Sequence, residues 1–186
     1  MDILQSVILG IIQGLTEFIP ISSSAHLIVL PWLFGWGERM LNSLTFDVSL
    51  HLGTLIAVLS YFAADWLRLI KAGLASIAER RIGRDPDRRM AWFLIIGTIP
   101  GGVAGLLAES TIEALFHRPG VPVAAASMTM LAVILALLGA FLLLAERLAG
   151  HLRTMDQLSL KDVLLIGLAQ ALAIFPGVSR SGATIT

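Results

Sequence analysis

Three stretches of this sequence, 46–64, 90–108 and 121–145, are almost wholly apolar. Each is long enough to cross a bilayer, because about 17 to 25 mostly apolar residues span a hydrocarbon core ~30 Å thick. A backbone in lipid must satisfy its own polar groups, so runs of this length are helices. The composition agrees: 56% of the 186 residues are hydrophobic and 14% charged, against roughly 25% charged in soluble domains. Mean hydropathy is +0.86. The chain therefore reads as an all-α integral membrane protein. Its formal net charge of +0 gives no electrostatic case for nucleic acid as a partner. The absence of cysteine excludes disulfides, thiol catalysis and thiolate metal sites. Residues 1–12 carry acidic Asp2 and no basic residue, so a cleaved signal peptide is not expected.

Two further apolar segments, 3–18 and 161–175, are too short for an ordinary span, and each runs into a proline, Pro20 or Pro176, followed by hydroxyl-rich sequence. They read as the first arms of re-entrant helix hairpins, with return arms over 25–34 and from Gly182 onward. Irregular backbone at membrane depth is tolerated only against protein or a wet cavity, so both breaks should point inward. The two segments resemble each other: each has a Gln (Gln13, Gln170), a Phe ahead of the Pro, and then serines with one residue able to carry positive charge (His26, Arg180). Three spans separate them, and an odd number of crossings inverts the second copy. The expected architecture is a polytopic helical bundle with inverted repeats, a single domain over 1–186. Its first hairpin is 1–34, its second 161–186, and the tips meet near the midplane, as in many transporters. If 3–18 instead crosses fully, both tips lie on the outer side.

Basic residues set the orientation. Residues 65–89 carry Arg68, Lys71, Arg80, Arg81, Arg84, Arg88 and Arg89, and 146–161 carry Arg147, Arg153 and Lys161, so both connections read as cytoplasmic. Residues 35–45 and 109–120 hold only Arg39 and Arg118 and read as extracytoplasmic. Within the Arg-rich connection, 66–82 is expected to form an interfacial amphipathic helix.

Glu17 is the costliest residue of the first segment, since an acid at the centre of a membrane helix costs about 2.5 to 3.5 kcal/mol on insertion scales. Gln13 lies four residues earlier on the same helical face. Glu17 either sits near the surface in water, holds a metal ion, or orients a basic partner. Ser22, Ser23 and Ser24 follow the Pro as helix caps or as hydroxyl donors. His26, three residues after Ser23, supplies an imidazole that can activate a serine or protonate a leaving group. In the second segment, Ser179, Ser181 and Thr184 with a helix N-terminus offer donors to an anion, and Arg180 offers a planar fork for two phosphate oxygens. Asp47 and His51 stand four apart at the start of the first full span and read as helix-end solvation or support of a site, with metal binding a weaker option. His117 and His151 lie in connections and point to nothing specific. Gly97, Gly101, Gly102 and Gly105 fit close helix packing.

These motifs resemble the undecaprenyl-diphosphate phosphatase family, also called the bacitracin-resistance family. Gln13-Gly-Leu-Thr-Glu17-Phe-Ile-Pro20-Ile-Ser-Ser-Ser-Ala-His26 is similar to its first signature, Phe46-Asp47-Val-Ser-Leu-His51-Leu-Gly-Thr54 to a second block, and Pro176-Gly-Val-Ser179-Arg180-Ser181-Gly-Ala-Thr184 to its other signature. The resemblance covers the whole chain and implies a multi-pass enzyme of the bacterial inner membrane. Such an enzyme hydrolyses undecaprenyl diphosphate to the monophosphate and recycles the lipid carrier of cell-wall synthesis. It implies Ser23 as nucleophile, His26 and Glu17 as acid, base or orienting groups, and Arg180 as phosphate clamp. Gln13, Ser22, Ser24, Ser179, Ser181 and Thr184 complete the implied substrate-binding set. A divalent cation, Mg²⁺ or Ca²⁺, is implied as cofactor, with Glu17 its candidate ligand; Gln13 stands where relatives often have Glu. The partners implied are the lipid substrate and the surrounding membrane lipids, and the oligomeric state, a homo-oligomer included, stays open. Family members carry a further group of spans, so the second repeat, which stops at Thr186, is expected to be truncated here. A polyprenyl-phosphate flippase or transporter on the same inverted repeat is the competing reading. Ser23 and His26 discriminate, since a carrier needs donors but no activated nucleophile. A scaffold, with Glu17 and Arg180 merely paired, is the third.

Overall fold

Three of the helices open on a serine, and one closes on a left-handed glycine, Gly35. Ser22 caps one helix through its Oγ, which accepts the Ala25 N–H at 3.4 Å, and Ser43 caps the next, accepting from Phe46 N–H at 3.2 Å. Ser159 and Asp162 form a reciprocal box, Asp162 N–H to Ser159 Oγ at 3.4 Å and Ser159 N–H to Asp162 Oδ2 at 2.8 Å. The computed structural model, which describes residues 3–36, 41, 43–116, 123–150 and 154–185 (side chains of 109, 113 and 156 apart), contains eight α-helices and one 3₁₀ turn among those residues. They are α1 Ile3–Phe18, α2 Ser23–Phe34, α3 Leu44–Tyr61, α4 Ala63–Ala78, α5 Pro86–Phe116, α6 Ala125–Leu148, the turn Met155–Gln157, α7 Leu160–Leu172 and α8 Arg180–Ile185.

The described residues are helical with no strand, as expected of an all-α membrane protein. Three helices are long and apolar enough to cross a membrane: Leu44–Tyr61, Pro86–Ala108 within α5, and Ala125–Leu148. They correspond to the runs read from the sequence, although 121 and 122 lie outside the described residues. So do Arg39, His117, Arg118, His151 and Arg153, on which no structural statement is made. The helix expected over 66–82 is α4. Exposed ion pairs surround it, Arg68 to Asp65 at 2.9 Å and Arg88 to Glu79 at 2.7 Å, the latter holding the Glu79 carboxyl below its ordinary range. Pairs this exposed contribute little stability.

Several boundaries differ from the sequence expectation: α3 ends at Tyr61 rather than 64, α4 spans Ala63–Ala78 rather than 66–82, α6 runs to Leu148 rather than 145, and two further shifts have a clear cause. Helix α5 continues to Phe116 rather than ending at 108, because a charged residue ends an apolar span without ending a helix. Helix α7 stops at Leu172, short of 175: the last turn tightens, with Phe175 N–H on Leu172 O at 3.2 Å, because a residue ahead of proline is pushed out of the helical region.

Helix α1 packs against α2 and α3, while α5 packs against α4 and α7. The last contact runs through glycine. A Cβ on Gly167 would stand 2.6 Å from the Gly97 carbonyl oxygen, Gly101 faces Gln170 of α7, and Gly105 faces Ile174 just beyond its end. Three of the four glycines read as packing residues thus do pack, which places two backbones in near contact. Gly102 has nothing within 4 Å and instead borders a cavity. Helix α2 is central, its Leu27 buried with Leu9 and Leu41, and its Ala25 and Ile28 with Ile112, Phe116 and Leu131. Outward-facing apolar residues such as Leu106 (81% exposed) and Leu137 (65%) suit a lipid surround.

Candidate functional site

At the first break α1 ends at Phe18, and the chain reverses through Pro20 into Ser22, a non-glycine residue at φ 68°. That conformation is uncommon and costs energy, so the packing around it must hold it in place. Its effect is to turn α2 so that Ser23, its first residue, faces the last turn of α1. Ser23 Oγ donates to Glu17 Oε2 at 2.5 Å. Gln13 Nε2 donates to the same oxygen at 3.4 Å, and His51 Nε2, arriving from α3, stands 3.2 Å from it.

The second break is differently furnished. Gly177 occupies φ 99°, where a Cβ would meet Ile134 Cγ2 at 2.9 Å, so glycine is required there by both backbone and space. Ser179, buried at 3% exposure, accepts the Gly182 N–H at 3.1 Å and lies 3.0 Å from the Ser181 hydroxyl. Arg180 is exposed and makes no ion pair among the described residues. The breaks touch each other: Gly177 N–H donates to Ser22 Oγ at 3.2 Å, across 155 positions of sequence.

Between them lies a cavity of about 480 Å³. The first break lines it with Glu17, Ser22, Ser23 and Ser24, the second with Ser179, Arg180 and Ser181, and His51, Thr98 and Gln170 close its walls. A second cavity of about 520 Å³ shares Glu17, Ser24, His51 and Arg180 with the first, but its far wall is apolar, with Val48, Leu52, Leu55 and Val58 along α3. One carboxylate, one guanidinium and a ring of hydroxyls thus stand where a polar and an apolar space meet. Such a place suits an anionic group with a greasy substituent.

Most of the residues singled out in the sequence converge here, but three do not behave as read. His26 is absent from the cavity wall, and its Nδ1 lies 2.8 Å from the carbonyl oxygen of Ser22 on its own helix. No hydrogen bond joins it to Ser23 among the described residues; the group on that hydroxyl is Glu17. Gln13 is 1% exposed and lies behind Glu17, where its amide reaches Thr54 Oγ1 at 3.3 Å instead of the cavity. Thr184 Oγ1 donates back to the carbonyls of Arg180 and Ser181 at 3.0 and 3.2 Å and does not line the cavity. Conversely His51, Thr98 and Gln170 are in the walls and were not placed there from sequence. The i, i+4 spacing of Asp47 and His51 and the echo of Gln13 in Gln170 were the available signals; Thr98 offered none.

Among the described residues no group of three or more His, Asp or Glu converges as a metal site. Glu17 is the one carboxylate on the polar cavity. This donor set does not make an all-protein cage. It does fit Mg²⁺ as that ion is held beside phosphates, through one or two carboxylates with the remaining oxygens from substrate and water.

Residues 6–186 match the family model of bacitracin resistance protein BacA. The chain belongs to the BacA family. Members similar to it include the undecaprenyl-diphosphatases of Thermomicrobium roseum, 50% identical over 186 residues, Geobacter sulfurreducens, 47% over 186, and Desulforudis audaxviator, 45% over 185. Each alignment covers 100% of this chain but only 65%, 64% and 64% of those relatives' own length in turn.

Proposed function

We propose that the protein is an undecaprenyl-diphosphate phosphatase that releases inorganic phosphate and leaves undecaprenyl phosphate. The observation that carries this reading is the short Ser23 to Glu17 hydrogen bond, across a cavity from Arg180, which has no ion-pair partner among the described residues. Ser23 Oγ attacks the terminal phosphorus as Glu17 takes its proton, and the bond to the bridging oxygen breaks, leaving a phosphoserine and the lipid monophosphate. The departing lipid phosphate takes that proton from Glu17, which then acts as base for the water that hydrolyses the phosphoserine and returns the proton to Ser23 Oγ as it leaves. Arg180 holds two phosphoryl oxygens where charge builds up. Ser24, Ser179 and Ser181 offer further donors. A carrier would need these donors but not a carboxylate on a serine, so the same hydrogen bond favours hydrolysis over translocation.

Mg²⁺ or Ca²⁺ would be held by Glu17 with the substrate's phosphates and would neutralise diphosphate charge. The polyprenyl tail would lie in the apolar cavity along α3. The two broken segments are read as re-entrant hairpins of an inverted repeat in the bacterial inner membrane. Phosphate release from undecaprenyl diphosphate by the purified protein, with and without Mg²⁺ or Ca²⁺, tests the activity; no release with either ion, beside measurable lipid translocation, replaces it with a carrier. Single cysteines at Ser43 and Gly83, in a chain free of native cysteine, test the orientation. A membrane-impermeant thiol reagent should label the first in intact cells and the second only after permeabilisation, and the reverse pattern inverts the topology.

A further inference from the structure

His51 occupies a place that the proposed chemistry does not yet use. Its ring is held at both ends. Nδ1 lies 2.7 Å from the carbonyl oxygen of Asp47, one turn back on α3, and Nε2 lies 3.2 Å from Glu17 Oε2 on α1. A backbone carbonyl and a carboxylate oxygen both only accept, so the ring presents an N–H on each side. One turn further along the same two helices, Gln13 Nε2 donates to Thr54 Oγ1 at 3.3 Å, and that hydroxyl in turn donates to the His51 carbonyl at 2.9 Å. Two polar rungs therefore tie α1 to α3, and the upper one ends on the oxygen that receives the Ser23 hydroxyl.

We propose that His51 is a positioning residue: by donating from Nε2 it fixes the Glu17 carboxylate so that Oε2 stays on Ser23 Oγ. The terminal torsion of a glutamate is broad and roughly two-fold, so a carboxylate on the end of α1 has no preferred plane of its own. Ser23 alone cannot hold it, because its donor is the proton that must leave. Gln13 reaches the same oxygen only at 3.4 Å, a length at which a hydrogen bond is weak. Among the described residues His51 is the remaining donor, and it comes from a separate helix, anchored to backbone. The inference rests on Glu17 acting as the base for Ser23, as set out above.

Three substitutions separate donor geometry from ring chemistry. His51→Gln keeps an amide N–H that reaches about as far as Nε2, His51→Asn places its amide near Nδ1 and stops short of Glu17, and His51→Leu has no donor. For phosphate release by the purified protein, the Leu and Asn variants are expected to lose about a hundredfold in kcat, the scale of an ångström-sized misplacement. KM should stay within about threefold, because ground-state binding is untouched. Gln should restore kcat to within about tenfold of the starting protein. A Leu variant with unchanged kcat, a loss carried by KM, or equal activity of Gln and Asn would overturn the proposal. If the Leu variant does not fold in detergent, the Gln and Asn pair decides alone. A readout independent of turnover is the infrared carboxylate band of Glu17, assigned by its loss in Glu17→Gln. It should shift in the Leu and Asn variants and return in Gln, and a band unmoved by all three overturns the contact. Should the starting protein release no phosphate, the functional reading falls, while the band still reports on His51.

Discussion

The two broken segments resemble each other in sequence, yet their polar groups are committed differently. In the first, one oxygen of Glu17 is the focus: a serine, a glutamine and a histidine converge on Oε2. In the second, hydroxyls bond to one another and to their own helix, while Arg180 is left without an ion-pair partner among the described residues. A negative charge held by three donors is poised to exchange a proton with one of them. A cation left open is poised to take up an anion. Under the proposed reading, the likeness in sequence conceals a division of labour, with proton transfer at the first break and charge recognition at the second.

The sharpest way to break this comparison is to disable the first tip alone. Ser23→Ala is expected to reduce turnover below detection while substrate affinity stays within about tenfold, since it removes the attacking oxygen and few ground-state contacts. Glu17→Gln should lose about 10²- to 10⁴-fold in kcat, the range of general-base catalysis. Acting as one unit, the pair should be far from additive, the double variant being little worse than Ser23→Ala. Single-turnover kinetics beside equilibrium binding of the lipid checks both, and a large loss of affinity in either would move these residues from chemistry to binding.

Arg180→Lys tests the second tip. It keeps the charge but loses the planar fork, and a fixed donor to developing charge contributes about a hundred- to thousandfold in rate, so activity should fall by that order. Arg84→Lys, in the exposed α4–α5 connection, should change nothing measurable. The scaffold reading, in which Arg180 only pairs with Glu17, predicts instead a poor yield of folded protein with normal specific activity. Among the described residues no such ion pair is present, and specific activity per folded molecule distinguishes the two.

Much of this was legible in the sequence because it is local. Span length, proline breaks and serine caps are written in runs of adjacent residues, and so α1 ends at Phe18, as read, and α2 begins within two residues of its expected start. What lies far apart in sequence was not legible. His51 reaches Glu17 only because α3 packs on α1, and nothing in the spacing of Asp47 and His51 states which helix they will face. Proximity in sequence also misled: His26 is three residues from Ser23, but on a helix beginning at Ser23 its Nδ1 falls back on the Ser22 carbonyl. The hydrogen bond joining Gly177 to Ser22 depends on every intervening helix.

That junction gives the smallest expected effect and the one that reports on both tips together. Gly177→Ala places a Cβ 2.9 Å from Ile134 Cγ2 and 3.1 Å from Leu131 Cδ1, on a residue at φ 99°. Two costs follow, one for a side chain in a left-handed conformation, roughly 1 to 2 kcal/mol, and one for overpacking against α6, about 1 to 3 kcal/mol. The steric cost can be separated from the backbone cost, because Ile134→Ala removes the nearer obstacle and leaves the backbone strained. The double variant should therefore regain part, not all, of the thermal stability lost by Gly177→Ala, as followed by melting in detergent. Full recovery would mean that the positive φ costs nothing here, and no recovery that the backbone alone sets the requirement. Turnover is expected to fall only about tenfold in Gly177→Ala, because the Gly177 N–H on Ser22 aligns one tip with the other without touching substrate. A loss as large as that of Arg180→Lys would show that the two tips act as one rigid site and would erase the distinction between them.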